Sequence, residues 1–268
     1  MKIISQIKNL FRSYDTVSKV IRHDQMWQSA NVSGAVKIDP ISRDDKKLNV
    51  LILSPSPGDE ILGCGGALAR HLLRQDAVRV ITLTDGSRGT PSGVRDAQLI
   101  KGRESESKQA LAVLGEAKVD FWRFENGKLK ANPTTLGLLK QIMIEAHVDR
   151  IYAPWWGDDN QDHQQTIEIL SQSLQAAPQN CEIWQYETSS PLLPNRIVPI
   201  DNVFDVKIQA IRKHISQLKL RRFDHAIAGL NDYRGEMHNQ KQPAEAFLVL
   251  SAKQFSELYG HFDDKIDK

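Results

Sequence analysis

Short apolar runs rich in β-branched residues alternate along this chain with longer segments whose apolar positions recur at helical spacing. The runs predict strands, and the segments between them predict helices of roughly ten to fifteen residues. Because strands and helices alternate, we predict an α/β fold with a mostly parallel sheet and helices on both faces. The predicted strands are one that ends at Ser54, then 78–84, 119–124, 150–154, 181–187 and 244–250, and the predicted helices are one that begins at Ile61, then 103–114, 134–147, 163–174, 206–220 and 252–259.

The first 27 residues form a separate amphipathic segment ahead of the predicted sheet. Two interpretations of this segment are open. It is either a terminal helix that packs on its own domain or on a second subunit, or a basic helix that lies on an anionic membrane surface as a peripheral contact. Its apolar positions are Ile3, Ile4, Ile7, Leu10 and Phe11, and its basic positions include Lys2, Lys8 and Arg12.

A polar stretch over residues 29–47 leads into the first predicted strand and is typical of a surface connection. We therefore predict an N-terminal helix and connection over residues 1–47 and a single α/β domain over residues 48–268. The last third of that domain is less regular and forms a C-terminal elaboration. Within it, residues 197–200 predict an edge strand or a small extra strand.

The charge balance and the cysteine count narrow the classes of protein. The 268 residues carry 35 basic and 33 acidic side chains, a net charge of +2, which argues against nucleic acid as the partner. Cys64 and Cys181 form neither a disulfide framework nor a zinc-binding pair, so we predict a reducing, cytoplasmic location. No apolar run reaches the ~20 residues that cross a bilayer, and the start of the chain is too polar for a secretory signal.

Two predicted loops carry the candidate chemistry. The first follows the strand that ends at Ser54 and brings Asp59 and Glu60 to the start of a helix, and the second runs over residues 155–163 to His163. Because the carboxyl ends of parallel strands meet at one edge of a sheet, the two loops should lie together. Carboxylates and an imidazole in one place are typical of a hydrolytic metal site, although acids also favour the first turn of any helix. The other acids of the second loop are interpreted as solvated: Asp158, Asp159 and Asp162.

Six short motifs follow one another in a fixed order along the chain: P-S-P-G-D-E-I-L-G-C-G-G, T-D-G-S-R-G, G-R-E-S-E-S-K-Q-A-L-A-V-L-G, D-H-Q-Q-T, P-N-R-I-V and K-H-I-S-Q. In this order and spacing they closely resemble the PIG-L/LmbE-like family over residues 48–250. The resemblance implies a Rossmann-like sheet. It also implies a relationship to zinc-dependent de-N-acetylases, hydrolases of carbon–nitrogen bonds that act on glycoconjugates containing N-acetylglucosamine.

The same resemblance locates the working residues of the family, and three of them are replaced here. The family signature P-H-P-D-D-E stands as P-S-P-G-D-E, which implies that Ser56 and Asp59 occupy zinc-ligand positions and that Gly58 occupies the position of the general base. The family motif H-P-D-H aligns with residues 160–163. It implies that His163 completes the zinc site and that Asn160 stands where a histidine helps to stabilise the tetrahedral intermediate.

The three replacements affect the metal, the base and the electrostatics separately. A serine hydroxyl is a poor substitute for an imidazole ligand, so we predict no zinc or weakly bound zinc. Loss of a positioned base costs about 10²- to 10⁴-fold, and loss of an oxyanion-stabilising group costs about 10²- to 10³-fold. We therefore predict lost or strongly reduced hydrolase activity, in a pseudoenzyme that binds a glycan or a partner. The alternative is an active metal-dependent de-N-acetylase with a rearranged site that recruits Glu60, Asp158 or Asp162.

Four further positions are predicted to line a substrate pocket. Arg88 suits anionic or polyhydroxyl ligands, and the aromatic faces of Trp155 and Trp156 suit sugar rings. His214 lies inside a predicted helix, in the K-H-I-S-Q motif. Each position also has a structural interpretation, as an exposed cation, as lid packing or as a packed helix position. The predicted ligand is a glycan or a small molecule containing N-acetylglucosamine, and a protein partner or a second copy of the chain is a further candidate.

Overall fold

The described strands form one twisted sheet. The computed structural model describes residues 36–41, 46–88 and 95–263, and the helix predicted over the first 27 residues lies outside them. Within the described part of the chain, eight strands pair in the order β1-β7-β8-β6-β5-β2-β3-β4. These strands are β1 (Lys37–Ile38), β2 (Asn49–Ser54), β3 (Ala77–Thr84), β4 (Lys118–Phe124), β5 (Arg150–Pro154), β6 (Glu182–Tyr186), β7 (Arg196–Pro199) and β8 (Ala244–Ser251).

Helices cover both faces of this sheet. Two separate clusters of buried apolar side chains flank it, one beneath α3, α4 and α8 and the other beneath α1, α2 and α5. All pairings are parallel except those of β8, which runs antiparallel to β6 and β7. The predicted α/β class, with a mostly parallel sheet and helices on both faces, is therefore confirmed. The helices are α1 (Asp59–Leu73), α2 (Ala97–Leu114), α3 (Pro133–Ala146), α4 (Gln161–Ser173), α5 (Phe204–Ile211), α6 (Ile215–Leu218), α7 (Phe223–Met237) and α8 (Ala252–Asp263), with 3₁₀ turns at Leu174–Ala176 and Asp201–Val203.

Helix α2 begins six residues earlier than the predicted start at Arg103. The side chain of Asp96 accepts hydrogen bonds from the backbone N–H groups of Gln98 and Leu99, which satisfies the first turn and fixes the start of the helix. Arg103 therefore lies inside the helix and is buried instead of opening it. The prediction that Arg103 begins a helix was wrong because the capping residue stands in a polar segment without apolar periodicity.

The predicted helix over residues 206–220 was also wrong, because the chain forms two helices, α5 and α6, separated by residues 212–214. The carboxylate of Glu106 on α2 accepts hydrogen bonds from both the backbone N–H and the hydroxyl of Ser216, at 2.8 Å and 2.6 Å. This contact fixes the start of a new helix at Ile215, whose side chain is 58% exposed instead of lying on the buried stripe.

Two elements were not predicted, one in the C-terminal elaboration and one in the N-terminal connection. Helix α7 packs on the sheet through β8, and the short strand β1 pairs with β7. The extra strand predicted at residues 197–200 is confirmed as β7, but β1 places it one position inside the edge. The domain boundary at residue 48 stays a prediction.

Helix α1 changes direction at Cys64, where φ is −141°. The backbone N–H groups of Gly66 and Ala67 donate to the carboxylate of Glu245, each at 2.7 Å, so the second half of the helix has its own capped start. The ammonium of Lys207 neutralises Glu245 at 2.7 Å. The G-C-G-G segment, residues 63–66, is therefore the kink between the two halves of α1. The first half of the helix is positioned by the loop that precedes it.

Strand β2 lies between β3 and β5, at the point where the chain reverses its direction across the sheet. The chain runs outward from β2 through β3 to β4 and then returns to β5 on the other side of β2. Ligands of open α/β sheets bind at such a point, outside the carboxyl ends of the strands. The two loops predicted to carry the chemistry, after Ser54 and after Pro154, both begin there. Among the described helices none is long and apolar enough to span a membrane.

Candidate active site

The loop after β2 turns at Gly58, whose φ of 104° is a left-handed conformation that favours glycine. Helix α1 begins at the next residue, Asp59, so the predicted acidic helix start is confirmed. The fully buried carboxylate of Glu60 accepts hydrogen bonds from the backbone N–H of Gly58 at 2.9 Å and from the hydroxyls of Ser54 and Ser107 at 2.6 Å and 3.0 Å. Burial raises the pKa of Glu60. Glu60 therefore holds the loop from inside the protein.

Asp59 and His163 come together although they are far apart in sequence. The carboxylate oxygen Oδ2 of Asp59 lies 3.2 Å from Nε2 of His163, and the same oxygen accepts a hydrogen bond from the backbone N–H of Ser56 at 2.9 Å. His163 is 2% exposed. Burial alone would lower its pKa, but the charge of Asp59 and a hydrogen bond to Asp158 outweigh it and raise the pKa of His163 to about 10. The pair is therefore an imidazolium and a carboxylate at neutral pH.

The other side of the imidazole contacts two residues that the sequence did not single out for this position. Oδ2 of Asp158 lies 3.3 Å from Nδ1 of His163, and the hydroxyl of Thr188 lies 3.4 Å from the same nitrogen. Asp158 is 1% exposed, so the interpretation of Asp158 as a solvated acid was wrong. Thr188 follows β6, the neighbour of β5, and the rule that strand ends share an edge could have located it.

Asn160 caps helix α4. Its side-chain oxygen accepts a hydrogen bond from the backbone N–H of Asp162 at 2.9 Å, and its own N–H donates to Asp158 at 2.9 Å. The side chain is exposed at the mouth of the loop. A contact of the Asn160 amide with a reacting group stays a prediction, and its oxygen is committed to the helix.

Asp162 joins the second loop to the turn after β4. Its carboxylate accepts hydrogen bonds from the Asn126 amide at 2.6 Å and from the backbone N–H groups of Gly127 at 2.7 Å and Leu129 at 3.4 Å. The side chain is 1% exposed, so its interpretation as a solvated acid was wrong too. Asn126 and Gly127 form a turn, with φ of 79° at Gly127.

We expect Asp162→Asn to lower the free energy of unfolding by about 1–3 kcal/mol. The substitution replaces a carboxylate oxygen that accepts hydrogen bonds by an amide group that donates them, and it leaves a buried N–H of the 126–129 turn without a partner. Urea denaturation measures the change. The matched control is Asp159→Asn in the exposed part of the same loop, which should stay within about 0.5 kcal/mol of the parent. Equal effects of the two substitutions would contradict the role of Asp162.

Ser56 faces the third strand. Its hydroxyl lies 2.9 Å from the hydroxyl of Thr84 and accepts a hydrogen bond from the amide of Asn126 at 3.2 Å. Ser56, Asp59 and Asp162 are thus connected through Asn126 and the loop backbone. This network is neutral apart from the two carboxylates, and it gives the hydroxyl of Ser56 partners within the protein.

The predicted pocket residues differ in their surroundings. The Arg88 side chain is 45% exposed and lies 3.5 Å from the carboxylate of Glu125. Trp155 and Trp156 are only 9% and 7% exposed and belong to the buried cluster, with their rings 5.5 Å apart. Stacking of a sugar on either indole stays a prediction. His214 is buried beside Gly58 and precedes α6, so its predicted position inside a helix was wrong.

The donor set is one ligand short of the zinc site that the family resemblance implies. Asp59 and His163 are near each other, but a catalytic zinc takes three protein ligands, and position 56 offers a hydroxyl in place of an imidazole. In the part of the chain that the structure describes, no three His, Cys, Asp or Glu side chains are grouped so that they could hold a metal ion. The residues present therefore do not fit a three-ligand catalytic zinc.

Comparison with known proteins places this site in context. A family model described as PIG-L, GlcNAc-PI de-N-acetylase, matches residues 51–174, which include both loops. The uncharacterized deacetylase YaiS of Escherichia coli (strain K12) is 28% identical over 186 residues, covering 66% of this chain and 95% of that protein. The diacetylchitobiose deacetylase of Thermococcus kodakarensis is 28% identical over 204 residues, covering 68% of this chain and 73% of that protein.

A solved structure shares the fold. The N,N'-diacetylchitobiose deacetylase from Pyrococcus horikoshii superposes with a TM-score of 0.70 at 21% identity, covering 80% of this chain and 88% of that one. The match of the family model, the two relatives and the shared sheet agree with the order of the loop motifs. The predicted resemblance to the PIG-L/LmbE-like de-N-acetylase family is thereby confirmed, with the family model matching residues 51–174.

Proposed function

We propose that this protein is a family member that no longer hydrolyses amides and that binds a glycan containing N-acetylglucosamine at the junction of the two loops. One observation carries the proposal. Residue 58 has no side chain, and the acidic group and the basic group that remain nearby, Asp59 and His163, form an ion pair with each other. The site therefore lacks a side chain at the position of the base, and the two remaining zinc-ligand positions are occupied by an internal ion pair.

The missing base is the larger of the two deficits. A positioned general base contributes about 10²- to 10⁴-fold to a hydrolytic rate, and glycine accepts no proton. The backbone at Gly58 has φ of 104°, and a Cβ there would lie 3.1 Å from the Gln217 amide nitrogen and 3.2 Å from the His214 ring. A side chain at residue 58 would therefore need one of these neighbours to shift, which supports a site without the base.

The alternative, an active enzyme with a rearranged metal site, needs free carboxylates. Glu60 accepts three hydrogen bonds inside the protein, Asp162 accepts three from residues 126–129, and Asp158 contacts the His163 ring. Recruiting any of the three as a ligand or a base would break buried interactions that position the loops. These commitments favour the non-hydrolytic proposal.

The glycan part of the proposal has two supports. Relatives at 28% identity are named as a deacetylase and a diacetylchitobiose deacetylase, so N-acetylated sugars are the first ligands to test. The loop edge of the sheet also keeps the polar lining that a sugar requires, with the Asn160 side chain and the Arg88 side chain both exposed there.

The test is acetate release from N,N'-diacetylchitobiose by purified protein incubated with zinc, cobalt or manganese, together with the metal content after dialysis. We expect release at background, less than one bound ion per chain, and measurable binding of the sugar by calorimetry. The diacetylchitobiose deacetylase of Thermococcus kodakarensis, assayed in parallel, is the positive control. Release at enzyme-like rates that disappears in Asp59→Ala or His163→Ala, or a stoichiometric ion that both variants lose, would overturn the proposal.

A further inference from the structure

His214 occupies the space into which a side chain at residue 58 would project. An ideal Cβ on Gly58 would lie 3.2 Å from both Cε1 and Nδ1 of the His214 ring, so this edge of the imidazole faces the loop. The amide of Gln217, on the same short helix, donates to the carbonyl oxygen of Pro57 and ties this segment to the loop. The imidazole is therefore held against the position that the family resemblance assigns to the base.

The ring has no hydrogen-bond partner within the described residues. His214 is 3% exposed, and neither Nδ1 nor Nε2 is hydrogen-bonded. The charged groups nearest to it are engaged elsewhere: Glu106 binds Ser216, and Arg103 donates to the carbonyl oxygen of Gly86. Buried polar groups without a partner are rare in native proteins and require an explanation.

His71 shows the usual arrangement for a buried histidine in this same protein. It is 0% exposed, its Nδ1 lies 2.6 Å from the Asp76 carboxylate, and its Nε2 lies 3.0 Å from the Tyr152 hydroxyl. Both nitrogens are satisfied by residues outside the loop edge. The contrast indicates that the partner of His214 is a group that the described residues do not supply.

The charge state of His214 restricts that partner. Burial lowers the pKa of His214 to about 4, so the imidazole is neutral at physiological pH and has one N–H donor and one nitrogen acceptor. The neighbouring carboxylate of Asp59 is already paired with His163. An uncharged ligand group that both donates and accepts hydrogen bonds fits these surroundings better than an anion.

We propose that His214 binds the ligand directly, through a hydrogen bond between its free ring nitrogen and an uncharged hydroxyl or amide group of the sugar. This inference rests on the proposed function and assigns a specific contact to it. The imidazole takes the place of the missing side chain of residue 58 as the polar group at the centre of the site, in a binding role.

The experiment compares two leucine substitutions, His214→Leu and His71→Leu, with N,N'-diacetylchitobiose as the probe. We expect His214→Leu to weaken binding about 3- to 10-fold, the range for one hydrogen bond, with a melting temperature equal to or above that of the parent. We expect His71→Leu to keep the affinity and to melt at a lower temperature, because it leaves Asp76 and Tyr152 without their partner. His214→Gln, which keeps a donor and an acceptor, should recover part of the affinity.

Nitrogen-15 spectra of the histidine rings give a second readout that a purely structural role would not change. Addition of the sugar should shift the ring resonances of His214 and leave those of His71 in place. Sugar binding with unmoved His214 resonances and unchanged affinity of His214→Leu would overturn the inference and leave the proposed function standing. Absence of any binding to the parent protein would overturn both, and the calorimetry of the parent alone distinguishes this second result.

Discussion

Replacing Ser56 by histidine should raise the affinity of this protein for zinc at least about 100-fold, because the imidazole nitrogen adds a third ligand to Asp59 and His163. The two existing groups are already placed for a shared ion, with Oδ2 of Asp59 and Nε2 of His163 3.2 Å apart. The carboxylate of Asp158 stands 3.3 Å from the other ring nitrogen of His163, where it orients the imidazole as outer carboxylates do in zinc sites. Competition with a zinc-binding dye, or cobalt absorption, measures the gain.

Ser56→Ala is the matched control for this prediction. It removes the same hydrogen bonds to Thr84 and Asn126 without adding a ligand, so it should bind zinc as weakly as the parent. Equal zinc affinity of Ser56→His and Ser56→Ala, with intact folding in both, would contradict the arrangement of the two loops. A parent protein that already binds zinc as tightly as Ser56→His would contradict the conclusion that only two zinc ligands, Asp59 and His163, remain.

Hydrolysis should require more than the metal. We expect Ser56→His, alone or with Asn160→His, to release acetate at background, and only the addition of Gly58→Asp to bring measurable release, since a base contributes about 10²- to 10⁴-fold. The same addition should cost about 1–3 kcal/mol of stability, because an aspartate must adopt φ of 104° against His214 and Gln217. Gly58→Asn, with nearly the same shape and no base, is the control. Acetate release by the asparagine variant would contradict the assignment of residue 58 as the base position.

The sequence was most informative about the fold where local signals agree. Strands β2 to β6 and the helices between them each combine an apolar run or stripe with a turn or cap nearby. Apart from the early start of α2, the structure has them within a few residues of the predicted ranges. The C-terminal part was less predictable. The break at His214 depends on Glu106, which lies more than a hundred residues earlier, and no local pattern records such a contact.

The sequence likewise predicted one part of the candidate site and missed another. That the loops holding Asp59 and His163 meet followed from a general rule on strand ends, and the structure brings them to 3.2 Å. The burial of Asp158 and Asp162 did not follow, because an acid in a polar loop looks the same in sequence whether it faces solvent or accepts buried hydrogen bonds. Asp162 is buried because the Asn126–Gly127 turn lies over it, and that is a tertiary contact.

The ion pair between His163 and its two carboxylates should make the stability of the metal-free protein fall in mildly alkaline solution. Burial opposes the charged imidazole, but Asp59 and Asp158 raise the pKa of His163 to about 10, above its ordinary value of 6.5. The folded state therefore holds this proton more tightly than the unfolded chain. The stabilisation is complete below about pH 6.5, declines by at most about 1.4 kcal/mol per pH unit, and is lost above about pH 10, a total on the order of 5 kcal/mol.

Urea denaturation at several pH values between 6 and 10.5, with a chelator present, measures this decline. His163→Gln is the control, because glutamine carries no titrating group while the cysteines, tyrosines and lysines of the chain titrate in both proteins. The variant should be less stable at pH 6 because it leaves Asp59 and Asp158 without their cation, and its stability should change less with pH than that of the parent. The two stability curves should converge as the pH approaches 10. Parallel curves over this whole range would mean that His163 is neutral at pH 7, and the site would then hold two ligands without an internal cation to compete with a metal ion.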